Sequence, residues 1–402
     1  MSEKIPKGWK WMKLGDVVII NPNETLKKGI IAKKVPMEAL LPFTKKVKFF
    51  VFEKYNGGVK FKNGDTLVAR ITPSLENGKT VYVDLLDDNE IGFGSTEFIV
   101  LREKSGITDK QFVYYFAISN DFRDVAIKSM TGSSGRQRVQ NEVVKEFEFL
   151  LPPLLEQKAI AEVLSSLDDK IDLLHRQNKT LEKMAMTLFR QWFIEPTKDG
   201  LPEGWEEVSL GDIFDIGIGR TPPRKESQWF SVNQHDIRWI SVKDLGSIDT
   251  YILNSSEFLK EEAVKEFNIP IIPDNTVVLS FKLTVGRIGI TIGEMVSNEA
   301  IAHFKLKPDS KISSNYLYLF LKTLDFSAFG STSSIAEAIN TKIIKEIKIL
   351  VPNDELITSF QSLINPVFQK IRLNTLEIQT LEKLRDTLLP KLMSGEVRVM
   401  KK

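Results

Sequence analysis

The chain is written twice. TLEKMAMTLF begins at Thr180 and TLEKLRDTLL begins at Thr380, a displacement of 200 in a chain of 402 residues. PKGWKWMKLGDV from Pro6 returns as PEGWEEVSLGDI from Pro202, with Pro6, Gly8, Trp9, Leu14, Gly15 and Asp16 recurring as Pro202, Gly204, Trp205, Leu210, Gly211 and Asp212. VVKEFEFLLPP (Val143 to Pro153) returns as IIKEIKILVPN (Ile343 to Asn353), preceded by Ser133-Ser134 and Ser333-Ser334. NGDTLVAR (Asn63 to Arg70) resembles DNTVVLSF (Asp274 to Phe281). Collinear matches with small drifts in offset mean a duplicated unit with loop insertions. The order in each copy is a Trp-Gly-Asp opening, a strand-rich middle, a Gly/Ser loop, an apolar strand ending near proline, and a helix.

A chain of this length exceeds one ordinary core, and its 42% hydrophobic and 27% charged content is that of a soluble globular protein. With no cysteine, disulfides and thiolate metal sites are excluded. His175, His235 and His303 are scattered and make no close-spaced ligand pair. No apolar run would span a bilayer and the N-terminus has no signal-peptide pattern, so no membrane partner and a cytoplasmic location are expected. The net charge of +2 neither demands nor excludes nucleic acid.

TVYVDLL and EFIVLR in the first copy, and TVVLSF and IAHFKLK in the second, read as strands. DKQFVYYFAIS (Asp109 to Ser119) and SSNYLYLFLKTL (Ser313 to Leu324) read as helices. Each copy is therefore an α+β globule of roughly 150 residues.

The helix after each globule differs in kind. Ile160, Leu164, Leu167, Ile171, Leu174, Asn178, Leu181, Ala185, Leu188 and Trp192 alternate spacings of four and three, a coiled-coil seam. Phe360, Ile364, Val367, Ile371, Asn374, Ile378, Leu381, Arg385, Leu388 and Leu392 do the same. Asn178 and Asn374 sit four residues apart relative to the repeat, so they would face each other if the helices pack antiparallel and cross near position 176 and its equivalent. A buried asparagine pair fixes register at a cost in stability; the alternative is two solvated seam edges. Antiparallel packing would relate the globules by a pseudo-twofold axis at the two ends of a rod. Gln157 to Trp192 is 36 residues, about 54 Å of helix. Two heads at a fixed distance suit a two-part linear target such as DNA, or make a bivalent scaffold for another paired ligand.

With these residues in view, LPPLLEQKAIAEVLSSLDDKIDLLHRQNKTLEKMAMTLFRQWF (Leu151 to Phe193) resembles the central conserved region of type I restriction-modification specificity subunits. The PxGWxxxxLGD openings are similar to the starts of that family's target recognition domains, and Gly132 to Gly135 followed by Arg136-Gln137-Arg138 also fits. The resemblance implies target recognition domains at 1–153 and 196–353, a central conserved helix at 154–195 and a C-terminal conserved helix at 354–402. It implies that each globule reads half of a bipartite, asymmetric site in double-stranded DNA. The paired helices would set the spacing and dock two adenine methyltransferase subunits. S-adenosylmethionine belongs to those subunits, and ATP and magnesium to restriction subunits; the specificity subunit itself has no catalytic centre. The second copy departs from the family pattern: PPLLEQKAIA becomes PNDELITSFQ, and SSGRQRVQ becomes SSIAEAIN without its arginines.

Catalytic motifs are wanting. Leu151-Pro152-Pro153-Leu154 and Thr221-Pro222-Pro223-Arg224 do not supply the Asn/Asp-Pro-Pro-aromatic loop of an adenine methyltransferase. FDIGIG (Phe214 to Gly219) is a weak glycine-rich match, and no GxxxxGK[ST] loop occurs.

Base and phosphate contacts need Arg, Lys, Gln or hydroxyl groups on loops. The first-copy candidates are Ser133, Ser134, Arg136, Gln137 and Arg138, then Arg70 and Lys79 around ITPSLENGK. The second-copy candidates are Arg220, Arg224 and Lys225 in GRTPPRKESQ, and Lys282 and Arg287. Met184, Met186, Phe189 and Phe193 lie off the seam; they either dock a methyltransferase or pack on the chain's own globules. Pro390, where the first copy has Arg190, should end or kink the second helix.

Overall fold

A computed structural model describes residues 5–133, 135–326 and 341–399. The chain forms two compact units: Met1–Asp172 with Thr380–Lys402, and Leu173–Gln379. The compact units thus do not follow the sequence divisions at 154, 196 and 354. The long helices Leu154–Phe189 (36 residues) and Asp354–Ser394 (41 residues) each contribute to both units.

The repeated opening and the repeated strand before each helix are one structure. Lys10–Lys13 pairs antiparallel with Glu148–Leu151, and Glu206–Ser209 pairs with Lys348–Val351 in the matching register. The Leu-Gly-Asp motif then makes a single helical turn whose leucine, Leu14 or Leu210, is fully buried. The glycine is needed for close approach: a Cβ on Gly15 or Gly211 would lie 3.3 Å from the carbonyl oxygen of Lys145 or Lys345. The motif clamps the start of each globule to its end.

The main sheets share a strand order. In the first unit it is Val18–Ile20, Phe98–Glu103, Thr66–Ala69, Thr80–Tyr82. In the second it is Phe214–Ile218, Ile301–Leu306, Val277–Ser280, Ile288–Thr291, with Tyr251–Ile252 added. FDIGIG is thus an edge strand paired with Ile301–Leu306 rather than a cofactor loop. The expected helices form as Lys110–Ile118, capped by the Asp109 carboxylate, and Ser314–Thr323, capped by the Ser313 hydroxyl. Each buries nearly every side chain, which is why both read as apolar on all faces.

A second sheet in each unit shows where the copies diverge. In the first unit its order is Val51–Lys54, Ile31–Val35, Gly92–Gly94, Val59–Phe61. In the second it is Phe230–Ser231, Glu257–Leu259, Ile237–Ile240, Val296–Ser297. The Phe230–Ser231 strand covers the outer edge of Glu257–Leu259; among the described residues Val51–Lys54 ends its sheet with no strand on that side.

Within each unit the two long helices run antiparallel. In the second unit Asn178 meets Asn374 and Phe189 meets Phe360; in the first, Asp168 meets Arg385. The Asn374 amide donates to the Asn178 side-chain oxygen at 2.8 Å, with both residues buried. Elsewhere the buried stripe departs from the expected seam. Leu164, Ile171, Leu174, Ile364, Ile371 and Ile378 are buried, but Leu167, Leu181, Val367 and Leu381 are only half-buried. Asp168 and Phe368 are buried in place of Leu167 and Val367. A helix covered by both a partner helix and its own globule buries a wider stripe than a two-helix seam. Phe189 and Phe193 are fully buried in the core of the second unit and Met186 packs against it, so these residues belong to their own globule; Met184 stays exposed. The second helix does not end at Pro390 but continues to Ser394. Leu389 and Leu392 anchor that last turn in the core of the first unit, offsetting the lost backbone bond.

Candidate nucleic-acid interface

The two candidate loops of the first unit converge. Thr131 and Arg138 exchange backbone hydrogen bonds at 3.1 and 2.9 Å, and the Arg136 amide donates to the Ser133 carbonyl at 3.0 Å, closing a tight loop. Gly132 and Gly135 hold φ of 133° and 76°, which glycine alone adopts easily. The base of this loop is stitched to the other: the Thr72 amide donates to the Gln137 carbonyl, and the Val139 amide donates to the Arg70 carbonyl.

The candidate side chains there divide into anchors and free groups. Arg70 donates to the Val139 carbonyl at 3.0 Å, and Lys79 to the Met37 carbonyl at 3.1 Å. Arg138 forks the Glu97 carboxylate at 2.7 and 3.0 Å, which raises its pKa. These three position loops. Arg136 is exposed at the tip and Gln137 half-exposed, neither with a side-chain partner among the described residues. Ser133 is exposed; Ser134 lies outside the described residues.

In the second unit two carboxylates, Glu257 and Glu299, lie in reach of part of the candidate loop. Arg224 forks Glu257 at 2.7 and 3.1 Å, with its guanidinium 4.5 Å from the rings of both Phe230 and Trp239. The Thr221 hydroxyl donates to Glu299. Burial pushes the Glu299 pKa up, but that hydrogen bond and the charges of Lys282 and Arg224 leave it below the ordinary value. Arg220 donates to the Phe267 carbonyl at 3.2 Å, and Arg287 to the Val242 carbonyl at 2.5 Å. Lys282 lies over the ring of its neighbour Phe281, and Lys225 is exposed without a partner among the described residues. The cations most committed to their own fold are therefore Arg70, Lys79, Arg138, Arg224 and Arg287. Arg136, Gln137 and Lys225 have side chains free to meet a ligand.

A basic stretch of the first unit carries no motif. Residues 27–54 hold eight lysines against two glutamates, a net of +6 in a chain whose total is +2. Counting charge in windows would have found it.

The family model for the type I restriction modification DNA specificity domain matches residues 6–183 and again 202–384. The chain belongs to this family. It is a specificity subunit of a type I restriction-modification system, the non-catalytic DNA-recognition component that works with modification and restriction subunits. The MjaIX specificity subunit of Methanocaldococcus jannaschii is 29% identical over 318 residues, covering 74% of this chain and 71% of its own. The HindI specificity subunit of Haemophilus influenzae is 25% identical over 411 residues, covering 84% and 87%. The crystal structure of the type I S subunit from M. genitalium shares the fold at 19% identity, with a TM-score of 0.57 and 98% coverage of both chains. Among the described residues of this specificity subunit, no group of three His, Asp or Glu could hold a metal ion. None of its described helices is long and apolar enough to cross a membrane.

Proposed function

We propose that each unit of this specificity subunit reads one half of a bipartite, asymmetric DNA site. The two long helices, packed as an antiparallel coiled coil about a pseudo-twofold axis, set the number of unread bases between the halves. They also dock two methyltransferase subunits, which bring S-adenosylmethionine to adenine. Restriction subunits carrying ATP and magnesium join the same complex.

The observation that carries this reading is the recurrence of one sheet order in both units, each clamped by the same opening and joined to both long helices. One head would suffice for a continuous site; two heads with different loop side chains suit two different half-sites. Arg136 and Gln137 are the free base-reading groups of the first unit, since Arg and Gln match guanine and adenine edges. The second unit lacks that loop chemistry and would rely on Lys225 and neighbouring groups.

The test is methylome sequencing of DNA exposed to the chain together with its methyltransferase. Adenine methylation is expected at one motif with two specified parts and an unspecified gap. Methylation without a discrete motif sinks the proposal.

A further inference from the structure

We propose that the strand pair Ile31–Val35 and Val51–Lys54 is a DNA-contacting surface of the first unit. This rests on the reading of that unit as a DNA-binding head. The register fixes what the pair displays. Ile31 opposes Lys54 and Lys33 opposes Phe52, so these four share one face. Phe50 joins them, its ring 5.5 Å from that of Phe52 in an edge-to-face contact. Ile31 and Phe52 are 62% and 66% exposed. An apolar surface of this size on an unpaired sheet edge needs a partner or a reason.

The sister unit says what is unusual. By register, Arg238 opposes Phe258 as Lys33 opposes Phe52, so the two phenylalanines are equivalent. Phe258 is only 8% exposed, and Phe230–Ser231 pairs along that strand. Among the described residues no strand pairs along the outer side of Val51–Lys54. Charge diverges the same way. The stretch 27–54 nets +6, whereas the equivalent 232–260 holds three basic and four acidic residues and nets −1.

Not all of that positive charge is available. Lys33 is tied to Asp87 and Glu90, Lys34 to Glu53, Lys46 to Asp84, and Lys45 is buried against Tyr115. Lys27, Lys28, Lys48 and Lys54 remain, all exposed and without a charged partner among the described residues. Lys27 and Lys28 lie at the Lys54 end of the pair, since the Gly29 amide bonds the Tyr55 carbonyl. Four lysines without charged partners on this strand pair and its flanks, together with its exposed aromatic rings, suit a polyanion that also offers apolar surface. DNA does so: lysines meet phosphates, and phenylalanine packs on deoxyribose or a thymine methyl. An acidic polypeptide strand added to the free edge is the competing occupant, and edge lysines that merely deter self-association are the third.

The test uses the full chain in complex with its methyltransferase and a duplex carrying the motif found by methylome sequencing. The variant Lys27→Ala/Lys28→Ala/Lys48→Ala/Lys54→Ala should bind roughly 10- to 100-fold more weakly near 0.1 M salt. Its salt dependence should be shallower by roughly three to four in log–log slope. The matching Lys→Arg variant should bind like the parent, and Phe52→Ala should weaken motif binding without changing the slope. Unchanged DNA affinity and slope in the alanine variant overturn the proposal. So does loss of the methyltransferase with DNA contacts intact, or self-association with DNA affinity unchanged. A parent complex that does not prefer its motif over scrambled DNA instead refutes the head-reading function itself.

Discussion

Replacing Arg385 with alanine is expected to destabilise the first unit by about 3–5 kcal/mol, measured as a lowered urea midpoint. Arg385 Nη1 donates to Asp168 Oδ1 at 2.9 Å, and the Tyr115 hydroxyl donates to Asp168 Oδ2 at 2.6 Å. Both charged side chains are under a tenth exposed. Burial alone would lower the Arg385 pKa, but the charges and hydrogen bonds of Asp168 and Asp386 together outweigh it and hold the guanidinium more firmly protonated. Removing the arginine leaves a buried carboxylate with one phenol. The duplication supplies the control. At the equivalent positions of the second unit stand Leu319, Phe368 and Ala185, all buried, so the three polar residues are exchanged as a set. The triple variant Tyr115→Leu/Asp168→Phe/Arg385→Ala should therefore recover most of the loss, because an apolar set can match a buried ion pair. No loss from Arg385→Ala alone would contradict this account.

The second large effect is a pH dependence that the second unit draws from one histidine. His303 is buried on the interior strand Ile301–Leu306, and burial, helped by the Lys305 charge, pushes its pKa down to about 4. An unfolded histidine titrates near 6.5. Between those values the unfolded chain binds the extra proton, so stability is full above pH 6.5 and is lost as pH falls toward 4. The whole window corresponds to about 3 kcal/mol. The equivalent residue of the first unit, by sheet register, is Val100. His303→Val should remove the histidine part of the acid sensitivity, leaving that of the carboxylates. It is read as the difference between parent and variant urea midpoints at pH 7 and pH 5. Equal pH responses would show that His303 does not carry it.

Much of this is legible in the sequence. The repeat announced two equivalent globules because identical side chains at one spacing demand identical local packing. Asn178 and Asn374 were placed opposite each other by arithmetic, since antiparallel register is a sum of residue numbers. What sequence cannot convey is where a long cation points. Arg70, Lys79, Arg138 and Arg287 sit on candidate loops, yet each is tied by at least one hydrogen bond to its own fold. Leu167 and Val367 fit an ideal heptad, but the globules pull the buried stripe toward Asp168 and Phe368. Phe50 and Phe52 carry no sequence mark of exposure; the strand at the end of its sheet leaves them open.

The central claim, two reading heads on a helical spacer, is tested most directly by lengthening the spacer. One heptad inserted at equivalent positions of both long helices preserves the seam phase and adds about 10 Å, or about three base-pair steps. Methylome sequencing with the partner methyltransferase should then return the same two half-sites separated by a gap about three bases longer. The same half-sites with an unchanged gap would contradict it.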